Sequence, residues 1–168
     1  MRHYNPLTFF CCILIICGNN LKAQSTPDDL GKIIFNSFQQ GSVSKLDYLI
    51  PTLEEMKKIA EVLDTNKNSD QYNKMIKNRD TQITEFQENL NWVYSDTLDN
   101  GLNWKITKLE KITTSMDSIQ MNGKNAPVAT VNIYFTCNLN RFVITLNDVF
   151  PCGELWKTGS SVYMKQIN

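Results

Sequence analysis

Two hydrophobic patterns follow one another along the chain. From residue 26 to about 96 apolar side chains recur at helical spacing, and from 102 to 168 they alternate with polar ones. Ser25-Thr26-Pro27-Asp28-Asp29 reads as a helix start: a hydroxyl cap, a proline in the first turn, and two acids facing the positive end of the helix dipole. Leu30, Ile33, Ile34 and Phe38 share the face that follows, and Gly41 ends the helix. Thr52 and Glu55 have the spacing of a capping box, and Met56, Ile59, Ala60 and Leu63 stripe the second helix. The third and longest helix is predicted over roughly Ser69–Ser95, with the stripe Tyr72, Ile76, Arg79, Ile83, Phe86, Leu90, Val93. An apolar face of that length predicts packing against something extended, a sheet or another helix.

The second half is predicted as strands. Trp104 opens an extended segment to about Thr114, with a phase slip between Ile106 and Leu109 of the kind a β-bulge produces. Ser115–Pro127 contains Asn122-Gly123 and reads as a turn-rich connection. Val128–Cys137 puts Ala129, Val131, Ile133, Phe135 and Cys137 on one face, with Thr130, Asn132, Tyr134 and Thr136 on the other. Another strand runs from Arg141 to Phe150, and Leu155–Lys157 with Val162–Ile167 closes the sheet. Helices segregated ahead of a short-turned antiparallel meander predict an α+β domain.

The first 23 residues have a different character. Arg2 and His3 give a positive start, Leu7–Cys17 is almost wholly apolar, and Ala23 supplies a small residue before Gln24. This is the pattern of an export signal over 1–23, leaving 24–168 as a single domain, helical over 26–96 and stranded over 102–168. The apolar run, about 11 residues, falls short of the roughly 20 that span a bilayer, so no transmembrane anchor is expected after cleavage. Leu14-Ile15-Ile16-Cys17 also has the outline of a lipoprotein signal. Bulky Ile16 stands where a small residue belongs, which favours simple cleavage near Ala23 over anchoring through Cys17. The expected location is periplasmic or secreted.

Composition then removes chemistries. The chain holds 17 Lys+Arg against 17 Asp+Glu, and cleavage would leave a net charge of −2, so no nucleic-acid partner is expected. The one histidine is His3, inside the leader. Without it, Ser-His-Asp and Cys-His catalysis and His-ligated zinc have no base or ligand, and no catalytic or metal-binding residue is assigned. No glycine-rich phosphate loop is present and no cofactor is expected. Asp64–Asp70 is oxygen-rich but lacks EF-hand spacing and reads as an inter-helix loop. Cys137 and Cys152 lie at opposite ends of the Arg141–Phe150 strand, and that separation argues against a disulfide, although export permits one.

Three stretches carry a resemblance. Ile34–Ile50 passes from helix through a glycine break to a leucine-bearing segment; Phe142–Val149 alternates; Gly153-Glu-Leu-Trp-Lys157 is a turn entering a final strand. Together they resemble the nuclear-transport-factor-2-like (cystatin-like, SnoaL-like) superfamily. The resemblance implies amino-terminal helices packed into the concave face of a bent antiparallel sheet. Some members are isomerases or dehydratases using Asp or a His–Asp pair, and no residue here matches such a motif. A concave sheet would be lined by Trp104, Tyr134 and Trp156, with Arg79 as an anion partner. Each has a plainer reading: the aromatics as core or sheet cover, and Arg79 reaching water or pairing with Asp80 or Glu85. Asp148 falls where alternation calls for an apolar residue, as a general base or an ordinary strand end.

Three functions follow as expectations. The first is an exported, non-catalytic module that binds a small hydrophobic molecule or an envelope protein. The second is an isomerase- or dehydratase-type enzyme using carboxylate and tyrosine groups. The third is a structural envelope protein that dimerises through the open sheet face or the Tyr72–Val93 stripe.

Overall fold

A computed structural model describes residues 24–62, 73, 77–121 and 124–167. The leader, the Asp64–Asp70 loop and the first part of the predicted long helix lie outside the described residues. The fold is α+β: helices α1 (Pro27–Gln40), α2 (Leu53–Val62) and α3 (Arg79–Asp99), then strands β1 (Lys108–Met121), β2 (Lys124–Cys137), β3 (Asn140–Cys152), β4 (Leu155–Thr158) and β5 (Val162–Ile167). Short 3-10 turns at Val43–Lys45, Asp47–Leu49 and Trp104–Ile106 link the helical half to itself and to the sheet.

The starts of α1 and α2 are built as their residues dictate. Thr26 Oγ1 accepts from the Asp29 amide at 3.2 Å while the Thr26 amide donates to Asp29 Oδ2 at 3.2 Å, a reciprocal capping box with Pro27 just inside. Gly41 closes α1 at φ 64°, the left-handed conformation glycine adopts at no steric cost, and donates to the Phe38 carbonyl. Thr52 and Glu55 cap α2 in the same reciprocal way, at 3.2 and 2.7 Å.

The sheet is curved, open and antiparallel, in the order β1-β2-β3-β4, with β5 also paired to β3. β3 is central: β2 occupies one side, and the other is shared by β5 along Arg141–Leu146 and β4 along Val149–Cys152. Between those two partners β3 carries a bulge, where Asp148 takes φ 55° and its carbonyl receives the Gly159 amide at 2.9 Å. Asp148 is therefore the exposed residue of a bulge, and its departure from alternation is geometric.

Three expectations need correction. The first strand starts at Lys108; Trp104–Ile106 is a 3-10 turn, and the bulge lies at Glu110, between Leu109 and Lys111. The supposed turn-rich stretch Ser115–Pro127 is mostly strand: β1 and β2 pair continuously from Lys111↔Tyr134 to Met121↔Lys124. The described long helix ends at Asp99 instead of Ser95, because Thr97 also belongs to its buried face.

The core lies between helices and sheet. Leu30, Ile34, Phe35 and Phe38 of α1 and Phe86, Leu90 and Val93 of α3 meet Val131, Ile133, Phe135, Ile144 and Leu146. Gly31 lets α1 lie close to the strands: a Cβ there would sit 3.1 Å from Val131 Cγ1 and 3.2 Å from Ile112 Cγ2. No helix among the described residues is long and apolar enough to cross a membrane.

Candidate functional site

Side chains fill the space between the helices and the sheet. Trp104 is 2% exposed, with ring centroids 4.7 Å from Phe38, 5.1 Å from Phe135 and 6.4 Å from both Phe35 and Tyr94. Its indole N–H donates to Thr97 Oγ1 at 2.8 Å, and that hydroxyl donates to the Tyr94 carbonyl at 2.6 Å. Where this cluster reaches the surface, Gln39, Gly41, Tyr94, Leu98, Trp104 and Lys105 border an open cleft of about 170 Å³. Drug-sized ligands occupy pockets of roughly 300–1,000 Å³. Among the described residues, no Asp or Glu is buried in the core, and every buried side-chain polar atom has a partner.

The four residues singled out from the sequence do not converge. Trp104 belongs to the core and borders the cleft. Arg79 starts α3 and donates from Nε to the Pro51 carbonyl at 2.9 Å, with Nη1 at 3.5 Å from Asp80; it ties α3 to the segment entering α2. Tyr134 lies on the opposite, outward face of the sheet, with the Lys111 ammonium 4.9 Å from its ring centre. Trp156 packs against the edge of the core, and its amide donates to the Gln24 carbonyl at 2.8 Å.

A buried polar group escaped the sequence reading. The Lys157 side chain is 7% exposed; Nζ donates to the Tyr48 carbonyl at 2.6 Å and lies 3.9 Å from Glu55 Oε1, whose other oxygen caps α2. Cys152 is nearby. Burial, reinforced by the Glu55 carboxylate and partly offset by Lys157, pushes its thiol up to about 12. A thiol so disfavoured as thiolate is a poor nucleophile. The lysine ties sheet to helices, and nothing in its alternating context distinguishes it from a solvated strand lysine. Both Cys137 and Cys152 are free thiols. Among the described residues no group of three His, Cys, Asp or Glu side chains is placed to hold a metal ion.

The outward face carries its own polar network. Arg141 makes a two-pronged bond to Glu110, Nε to Oε1 at 3.1 Å and Nη2 to Oε2 at 2.7 Å, spanning β2. That bond holds the Glu110 carboxyl below its ordinary range and raises the guanidinium. Beyond it the β1–β2 hairpin overhangs the sheet. β2 pairs with β3 only from Ala129 onward, so among the described residues Lys124–Val128 has β1 as its one strand partner. Ile119 on this overhang is 47% exposed, and Met116 at its base, opposite Ala129, is 55% exposed.

The class of protein that these features define is a helix-on-antiparallel-sheet α+β domain with a filled helix–sheet core and an overhanging hairpin. No protein-family model, curated protein or solved structure matches the chain.

Proposed function

We propose that the protein is an exported, non-catalytic protein-interaction module of nuclear-transport-factor-2-like architecture, docking through the overhanging β1–β2 hairpin and the free edge of β1. The helices against a curved five-stranded antiparallel sheet support that architecture, and residues 1–23 support export. The observation that carries the function is a contrast between two faces. The concave face, which a small-molecule binder or a carboxylate-using enzyme needs hollow, is occupied by Phe35, Phe38, Trp104 and Phe135. Exposed apolar side chains on the hairpin, Met116 and Ile119 among them, lie beside an edge strand that has no strand partner on one side among the described residues.

The test is site-specific photocrosslinking in the producing cell. A photoreactive residue at Met116 is expected to give adducts of discrete mass, whereas one at exposed Glu88 on α3 gives none. Equal adducts from both positions, or none from Met116, would refute the reading.

A further inference from the structure

We infer that a second copy of this chain is the partner. Two β1 strands pair antiparallel along their free edges, in the register that sets Thr114 opposite Thr114 of the second copy. The two sheets become one. This deepens the interaction reading above and rests on it.

Which main-chain groups are free follows from one proline. Pro127 has no N–H and stands opposite Ser118, so that pair is one in which the β1 groups point away from β2. The register is unbroken from Lys111 to Met121, so the same holds at every second residue: Ile112, Thr114 and Met116 also aim N–H and C=O at the open edge. The run ends at both sides. Beyond Lys111 lies the bulge at Glu110, which disrupts a ladder. At the other end the Ser118 amide is already taken by Asp117 Oδ1 at 2.7 Å. The open rungs are thus Ile112, Thr114 and Met116, and their midpoint is Thr114. A two-fold axis there uses all of them.

Side-chain chemistry selects the same register independently. With Thr114 on the axis, Lys111 faces Asp117 of the second copy and Asp117 faces its Lys111, on the outward side of the joined sheet. Ile112 meets Met116 on the helix side, twice. Thr113 faces Ser115. Shifting the axis to Thr113 sets Lys111 against Ser115 and Ile112 against Thr114; shifting it to Ser115 sets Lys111 against Ile119 and Ile112 against Ser118. Both neighbouring registers leave the charges unmatched and pair apolar with polar groups. Lys111, which on an ordinary edge strand would repel a neighbour, here selects one. The exposed Met116 also gains an apolar partner.

The test is sedimentation velocity on the purified protein, read together with charge reversal. Wild type is expected to show a reversible monomer–dimer equilibrium that weakens with salt. Lys111→Asp alone places two acids opposite each other twice and weakens association by about tenfold, as does Asp117→Lys. The double variant Lys111→Asp/Asp117→Lys restores it to near wild type, which ties the loss to this charge pair, and circular dichroism of each single variant matches wild type, which shows that it folds. In the dimer, amide exchange slows at Ile112, Thr114 and Met116. A protein monomeric at every concentration overturns the inference, as does a dimer indifferent to both single reversals. In the crosslinking experiment, adducts from Met116 at twice the chain mass support self-pairing. Adducts of another mass, with a monomeric protein, overturn self-pairing and leave the interaction reading standing; no adducts remove both.

Discussion

Removing Trp104 in two steps separates packing from hydrogen bonding in the core. The side chain is 2% exposed and touches rings from α1, α3 and β2. Trp104→Ala opens a cavity among Phe35, Phe38, Tyr94 and Phe135, at about 3–5 kcal/mol. Trp104→Phe keeps a ring in place but gives up the N–H bond to Thr97 and some volume, at about 1–2 kcal/mol. Thr97→Val removes the acceptor and strands the indole N–H, at about 1–3 kcal/mol. The double variant Trp104→Phe/Thr97→Val leaves no orphaned indole, so its cost falls below the sum of the singles by about 1 kcal/mol. Urea unfolding followed by far-ultraviolet circular dichroism measures all four, with unchanged m-values certifying the comparison. A domain of this size has about 5–15 kcal/mol to lose, so the alanine variant is expected to be severely weakened. A cost below about 1 kcal/mol for Trp104→Ala, or strict additivity in the double variant, would refute the packed-aromatic reading of the concave face.

Gly31→Val is expected to cost about 1–3 kcal/mol by forcing α1 away from Val131 and Ile112, whereas Gly31→Ala costs less because helix propensity returns about 1 kcal/mol; thermal melts rank the three proteins. The Cys152 thiol has an ordinary pKa of 9.0 and is pushed up to about 12 in the fold, so the folded state keeps its proton longer. The resulting stability is intact below pH 9 and is lost as pH climbs from 9 toward 12, by at most about 1.4 kcal/mol per unit, and Cys152→Ala lacks that slope. A thiol reagent at pH 8 leaves Cys152 unmodified in the native protein, and rapid labelling would contradict its burial. Thr26→Ala removes the cap of α1 at about 1 kcal/mol. Its hydroxyl is also the main reason the Asp29 carboxyl is held below the ordinary range. The stability held there is lost on acidification through the lowered pKa, and the variant shows a shallower acid-side decline in its melting temperature.

Periodicity and capping chemistry were enough for the helix starts at Thr26 and Thr52, the stop at Gly41 and the two faces of β2, because each is set by neighbours within a few residues. The hairpin at Met121–Lys124 was misread because Asn122-Gly123 signals a turn without saying how far the strands extend beside it. The run Asp117-Ser-Ile-Gln120 does not alternate, since an overhanging ribbon has no buried face to enforce alternation. Asp148 broke the pattern for a bulge that β4 and β5 impose from further along the chain. Among the candidate site residues, Trp104 was legible as an important aromatic but not as core. Whether a ring lines a hollow or fills it depends on how closely α1 approaches, and that is set by Gly31. The Lys157–Glu55 tie joins residues about a hundred positions apart, beyond the reach of any local pattern.

The shared flank of β3 also dictates an order of assembly. The hairpin of β1 and β2 can zip from its own turn, and α1 can form from its own cap, but β4 and β5 have no template until Asn140–Cys152 is laid down. Among the described residues both closing strands then take their strand pairing from β3 alone. The slowest-exchanging amides should fall in its middle, around Ile144, and a break there would shed both closing strands at once, uncovering Phe86 and Leu90 on α3.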